Sequence, residues 1–166
     1  MRFLLGCVLM LGLMVLSIAG CGGGGGGGGG DGSTKTATLK LSTQSSVNPA
    51  ALIGGFDLKI TLPSVASLPV DASNTPLPSA VFSSGQFAGV NFSPGSSYFS
   101  ASHELTVVYG SANSYALGEF ITIVMTVPTS YDPNQNDIVN SINFRAGEPG
   151  IGNTVPGVTA IIKSFN

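Results

Sequence analysis

Beyond residue 36 the chain alternates apolar and polar residues with a period of two. That spacing turns one face of a β-strand toward a core and the other toward water. Ala37, Leu39 and Leu41 alternate with Thr36, Thr38 and Lys40, and Phe56, Leu58, Ile60 and Leu62 with Asp57, Lys59 and Thr61. Leu105, Val107 and Tyr109 share a face across Thr106 and Val108. In Glu119 to Val127, Ile121, Ile123, Met125 and Val127 lie on one face and Phe120, Thr122, Val124 and Thr126 on the other. A strand apolar on both faces is expected at the centre of a sheet. Ile138, Ile142 and Phe144 mark a later strand and Val158, Ala160 and Ile162 the last, while Val81-Phe82 and Phe87 to Phe92 suggest shorter ones.

Turn signals separate these runs: Asn48-Pro49, Leu62-Pro63, Ser83-Ser84-Gly85, Ser93-Pro94-Gly95, Tyr109-Gly110-Ser111 and Gly147-Glu148-Pro149-Gly150. No stretch after Cys21 carries a helical repeat, and Ala66 to Pro78 holds too much proline for a helix. Seven to nine short strands joined by polar loops predict an all-β fold, an antiparallel β-sandwich over residues 36–166.

The N-terminus has a different character. Met1-Arg2 is a positive start, residues 3–16 form an apolar run of signal-peptide length, and small residues follow at Ala19 and Gly20. Ile18-Ala19-Gly20-Cys21 resembles the lipobox of bacterial lipoproteins. The resemblance implies that residues 1–20 are a signal peptide and that Cys21 is lipidated after cleavage before it. Two or more acyl chains, at about 0.8 kcal/mol per buried methylene, hold such a protein to a membrane. Gly22 follows the cysteine where an Asp is absent, which resembles the default sorting of lipoproteins to the outer membrane of a cell with two membranes. Gly22 to Gly30 is an unbroken glycine run, continued by Asp31-Gly32-Ser33. Residues 21–35 are therefore expected to be a flexible tether. A phosphate-cradling loop would need a preceding strand, a following helix and usually a Lys-Ser/Thr pair, none of which the sequence supplies there.

Within the domain, three segments resemble a bacterial cohesin-type module. The first is Leu39-Lys40-Leu41 leading into Ile53-Gly54-Gly55-Phe56-Asp57-Leu58-Lys59-Ile60, and the second is Leu105-Thr106-Val107-Val108-Tyr109. The third is Gly118-Glu119-Phe120-Ile121-Thr122-Ile123, with Gly157-Val158-Thr159-Ala160-Ile161 behind it. The resemblance spans about residues 36–165, and it implies a jelly roll of the kind found in cohesins and the related carbohydrate-binding modules. The positions through which cohesins contact dockerins form no motif in this chain, so partner identity is not implied.

Charge narrows the function. Only 8% of the 166 residues are charged, against roughly 25% in an average soluble domain. The net charge of −2 includes no basic stripe, so no nucleic-acid partner is expected. Of the two cysteines, Cys7 lies in the signal and Cys21 is the lipid site, which leaves the domain no thiol, disulfide or cysteine-based metal site.

Chemistry-bearing candidates are few. His103, the only histidine, opens the Leu105 strand beside Glu104 and reads as a surface residue, because no Gly-x-Ser-x-Gly nucleophile turn follows Cys21. Asp132, Asn134, Asn136 and Asp137 offer hard oxygen ligands suited to calcium, the one metal the sequence suggests. The loop departs from the calcium pattern, with Asp137 where Gly stands and Asn143 where Glu stands, and an Asx/Pro turn is the alternative. Asp57 and Glu119 sit on strands, where solvation or a strand-edge ion pair is expected. Tyr98, Phe99, Tyr115 and Tyr131 are read as loop aromatics that could contact a ligand, whereas Tyr109 follows the core periodicity. No catalytic constellation emerges and no other cofactor is implied. The expected function is a membrane-anchored, extracytoplasmic, non-catalytic protein-binding or structural module. The alternative is a carbohydrate-binding module presenting exposed tyrosines to a polysaccharide.

Overall fold

The computed structural model describes residues 32–166. The expected signal peptide, Cys21 and the glycine run Gly22 to Gly30 lie outside these residues. Eight strands form: β1 Thr34–Ser45, β2 Leu52–Thr61, β3 Val81–Ser83, β4 Ser96–Phe99, β5 Glu104–Ala116, β6 Glu119–Pro128, β7 Asn143–Gly147 and β8 Val158–Phe165. β1 begins at Thr34, ahead of the expected boundary at 36, because Thr34 and Lys35 pair with Pro128 and Val127 of β6.

The strands make two antiparallel four-stranded sheets, ordered β3-β6-β1-β8 and β4-β5-β2-β7. The fold is thus an antiparallel β-sandwich. The pairs β1·β8, β2·β7, β3·β6 and β4·β5 are those of one long hairpin folded back on itself at β4–β5. Folding that ribbon into two layers adds the contacts β1·β6 and β2·β5. β6 lies between β3 and β1, the central place expected of it.

The inward rows of the two sheets form the core. Leu39 and Leu41 of β1, Leu58 and Ile60 of β2, Leu105 and Val107 of β5, and Ile121, Ile123 and Met125 of β6 are all buried. Phe56 lies at the centre of an aromatic cluster, its ring centroid 4.9 Å from Phe120, 5.3 Å from Phe92 and 5.7 Å from Phe87. Three of the strand expectations need correction. Phe120, placed by alternation with Thr122 and Val124, faces the core instead, because the β1–β6 register shifts by one residue there: Leu41 pairs with Ile121 and Ser42 with Glu119. Phe120 is the extra residue of that bulge, which re-aims its ring inward. Phe87 to Phe92 forms a 3-10 turn at Gly85–Phe87 and irregular backbone, since both rings must turn inward within a few residues. Ile138 lies between two 3-10 turns and only Phe144 of the expected later strand belongs to β7.

The sandwich has two ends. At the near end Ser33 leads into β1, with Thr129 N–H donating to the Ser33 carbonyl at 3.0 Å. His103, Tyr131 and the loop following β6 are also there, close to the ends of β2, β6 and β8. At the far end lie the links β1–β2, β5–β6 and β7–β8. Among the described residues no helix is long and apolar enough to cross a membrane.

Truncating the central ring should be costly. Phe56→Ala is expected to lower unfolding free energy by about 3–5 kcal/mol, read as a reduced denaturant midpoint in urea unfolding followed by far-UV circular dichroism.

Candidate functional site

The aromatic candidates separate. Tyr98 belongs to β4 rather than a loop and is 3% exposed, because it lies on the inward row opposite Leu105. Its hydroxyl is 3.2 Å from His103 Nδ1, and burial pushes its pKa up. His103 adopts the left-handed conformation (φ 53°) at the turn into β5, so its ring folds back over Tyr98 instead of into solvent. Phe99 is exposed on the outer face of β4. Tyr115, also expected in a loop, lies on β5, stacks on Phe87 at 4.1 Å and shares a 2.9 Å hydroxyl contact with half-buried Tyr109. Burial and that contact push Tyr109 up, while the bond from Tyr109 pulls Tyr115 down. Tyr131 is at the near end, and its hydroxyl donates to Asp137 Oδ2 at 2.6 Å. Burial, then the Asp137 carboxylate, push the Tyr131 pKa up. The tyrosines therefore do not share one exposed face.

The Asp132 loop is built as an Asx turn. Asn134 Oδ1 accepts from the Asn136 N–H at 3.0 Å, capping the 3-10 turn Gln135–Asp137. With Asp137 engaged by Tyr131, two of the four expected oxygen ligands are used inside the loop. Among the described residues no three His, Cys, Asp or Glu side chains are grouped to hold a metal. Asp57 and Glu119 form ion pairs. The Arg145 Nε donates to Asp57 Oδ2 at 2.8 Å across β7–β2. Glu119 is 2.7 Å from Lys163 and 3.5 Å from Lys40, and the Lys163 bond holds its carboxyl below the usual range despite partial burial.

A site the alternation did not reveal lies on the outer face of the β4-β5-β2-β7 sheet, at its far end. Gly147 of β7, Gly55 of β2 and Gly110 of β5 are side by side across three strands. They floor a trough of about 530 Å³. Its lower edge is the Asp57–Arg145 pair with Val108, and its walls are Ser111-Ala112 and the turn Glu148 to Gly152. The walls follow from register. Ile53 pairs with Tyr115 and Gly55 with Gly110, so residues 111–114 oppose Gly54 alone and must rise out of the sheet. The neighbouring turn leans on this bulge, with Gly150 N–H donating to the Ser111 carbonyl at 3.0 Å. A Cβ on Gly54 would sit 2.2 Å from Pro149 Cα and 2.7 Å from the Ser111 oxygen, so the closure needs glycine there. A Cβ on Gly110 would meet nothing within 4 Å and would point into the trough. The signal available in the sequence was glycine inside strand patterns, which marks bulges and close backbone approach.

The groups facing the trough suit noncovalent binding: a neutralised ion pair, the carboxylate of Glu148, exposed backbone and two exposed apolar side chains, Val108 and Ile151. Comparison with known proteins returned no matching family, no matching curated protein and no matching solved structure. The class that the fold defines is an all-β antiparallel sandwich.

Two contrasts test this geometry. Gly54→Ala should destabilise the protein by at least about 2 kcal/mol through backbone overlap, whereas Gly110→Ala should leave stability unchanged within about 0.5 kcal/mol or raise it slightly. Paired thermal melts would reveal a reversal of that order. For Glu119, a depressed folded-state pKa means its stabilisation is complete above the ordinary carboxylate range and is lost as pH falls through the lower folded value. Glu119→Gln should therefore narrow the gap between urea midpoints measured at neutral pH and at about pH 3.

Proposed function

We propose that this chain is a lipid-anchored extracytoplasmic binding module, non-catalytic, which presents the glycine-floored trough to a protein partner. The observation that carries the reading is polarity: the chain enters the sandwich at the near end, and the trough is at the far end. Between Thr61 and Gly55 the β2 backbone spans about 20 Å at 3.3–3.4 Å per residue. An anchor attached ahead of Ser33 would thus join the domain at the end opposite the trough and leave the trough clear of the attachment point.

The lipobox resemblance at Ile18-Ala19-Gly20-Cys21 supports the anchor, and in a cell with two membranes it supports the outer one. The glycine run supports a tether: a glycine-rich coil of about a dozen residues has a root-mean-square extent of about 20 Å. Such a leash raises local concentration without fixing geometry. The cohesin-like resemblance supports a binding role without naming a partner.

Acylation is the direct test. Mass spectrometry of the native N-terminal peptide should find a diacylglyceryl-modified Cys21 with residues 1–20 removed, and Cys21→Ala should shift the protein from the detergent to the aqueous phase in cloud-point partitioning. An intact Met1 or an unmodified Cys21 in the native product would defeat the anchored reading.

A further inference from the structure

Resting on the reading of the trough as the binding site, we propose that its occupant is a polypeptide segment that lays an aromatic side chain over Gly110 and sets a cation beside it, against Glu148. Three observations lead there.

The first is the floor. Of the three glycines Gly110 is the open one, a Cβ there meeting nothing within 4 Å, whereas Gly55 is closed by the Tyr109 carbonyl and Gly147 by the backbone of Gly152. A strand glycine so uncovered is a place where an aromatic ring can lie across the backbone. No ring of this domain does so. Tyr109, next to Gly110, faces the opposite side and packs with Phe56 and Phe92. Tyr115 is stacked on Phe87, and the chain has no tryptophan. Phe99, exposed on the same outer face, pairs with Glu104 at the near end of the sheet.

The second is the wall. Ile151 is 70% exposed and Val108 48% exposed, both lining the trough. Their apolar surface would be removed from water by a ring seated between them.

The third is charge. Asp57 is engaged by Arg145, but the only side-chain partner of Glu148 among the described residues is the Asn153 amide, 3.3 Å away. The trough therefore keeps one carboxylate that no cation neutralises, which a Lys or Arg next to the aromatic residue would meet. A sugar fits less well, since stacking on a pyranose requires the protein to supply the ring. Here the flat apolar group must come from the ligand.

The absence of tryptophan makes the test clean, because fluorescence from a Trp-containing peptide has no tryptophan background. The lipidated full-length protein in detergent micelles would be titrated into the blocked tetrapeptides Gly-Trp-Lys-Gly and Gly-Trp-Glu-Gly, with empty micelles subtracted. Gly-Ala-Lys-Gly and cellohexaose would serve as competitors. The expected result is a saturable blue shift and anisotropy rise for the Trp-Lys peptide, not displaced by the alanine peptide. Gly110→Leu and Ile151→Ser should each weaken that binding, the first by about tenfold or more. Glu148→Gln should weaken the Trp-Lys peptide and spare the Trp-Glu peptide. Thr159→Leu, on β8 of the other sheet, should change nothing. Ile151→Ser alters only an exposed side chain, so it remains informative if Gly110→Leu folds poorly. A Trp-Lys response unaffected by Gly110→Leu and Ile151→Ser, or no response at all, overturns the proposal. Cellohexaose binding that Gly110→Leu abolishes, without a tryptophan response, overturns the aromatic occupant while upholding the trough as the binding site.

Discussion

The contact on which the rest of the sandwich depends is the meeting of Phe56 and Phe120 across the two sheets. Phe56 comes from β2 and Phe120 from β6, and their rings meet edge to face at 4.9 Å. Phe87, Phe92 and Phe144 complete the shell around Phe56. Each large apolar side chain so buried contributes about 1.5–3 kcal/mol, and edge-to-face pairs add about 0.5–1.5 kcal/mol each. With no cysteine beyond residue 21, apolar packing carries the cohesion that disulfides supply in many small secreted domains. Phe120 reaches its partner only because a bulge in β6 turns it inward, so a local irregularity in register sits at the heart of the core.

Holding the sheets together at Phe56 leaves the far end of β2 free to specialise. Just beyond the ring, Gly55 and Gly54 let the β5 backbone and the Pro149 turn approach more closely than any side chain would permit. The four residues of β5 that oppose Gly54 then have nowhere to go but outward. The trough is a consequence of that departure: its floor is the paired backbone of β2, β5 and β7, and its walls are the chain that could not stay in register. The floor of the proposed binding surface is held by strands, which fix backbone positions better than free loops do.

Sparse charge serves this arrangement. The ion pairs Lys59–Glu104 and Arg145–Asp57 join neighbouring strands of one outer face, and Glu119 joins β1 to β8 on the other through Lys40 and Lys163. Exposed pairs of this kind contribute little to stability, typically below about 1 kcal/mol. Their effect is to neutralise most of the charge on each face. Glu148 stands apart from that pattern and gives the trough its sign.

The strands were legible because alternation is a local property: Phe56, Leu58 and Ile60 had to share a face whatever they packed against. The central place of β6 was legible as well, from its long apolar and β-branched run, although its outer face is Thr122, Val124 and Thr126 without the Phe120 that alternation put there. The resemblance of residues 18–21 to a lipobox is local too, a matter of four consecutive residues. What the chain alone could not display was which residues meet. The burial of Tyr98 depends on β4 pairing with β5, and the inward turn of Phe120 on one residue of slip against β1. The trough depends on glycines at 55, 110 and 147 arriving side by side from three distant segments. Register between strands is set by the whole set of pairings at once, so only the folded structure decides it.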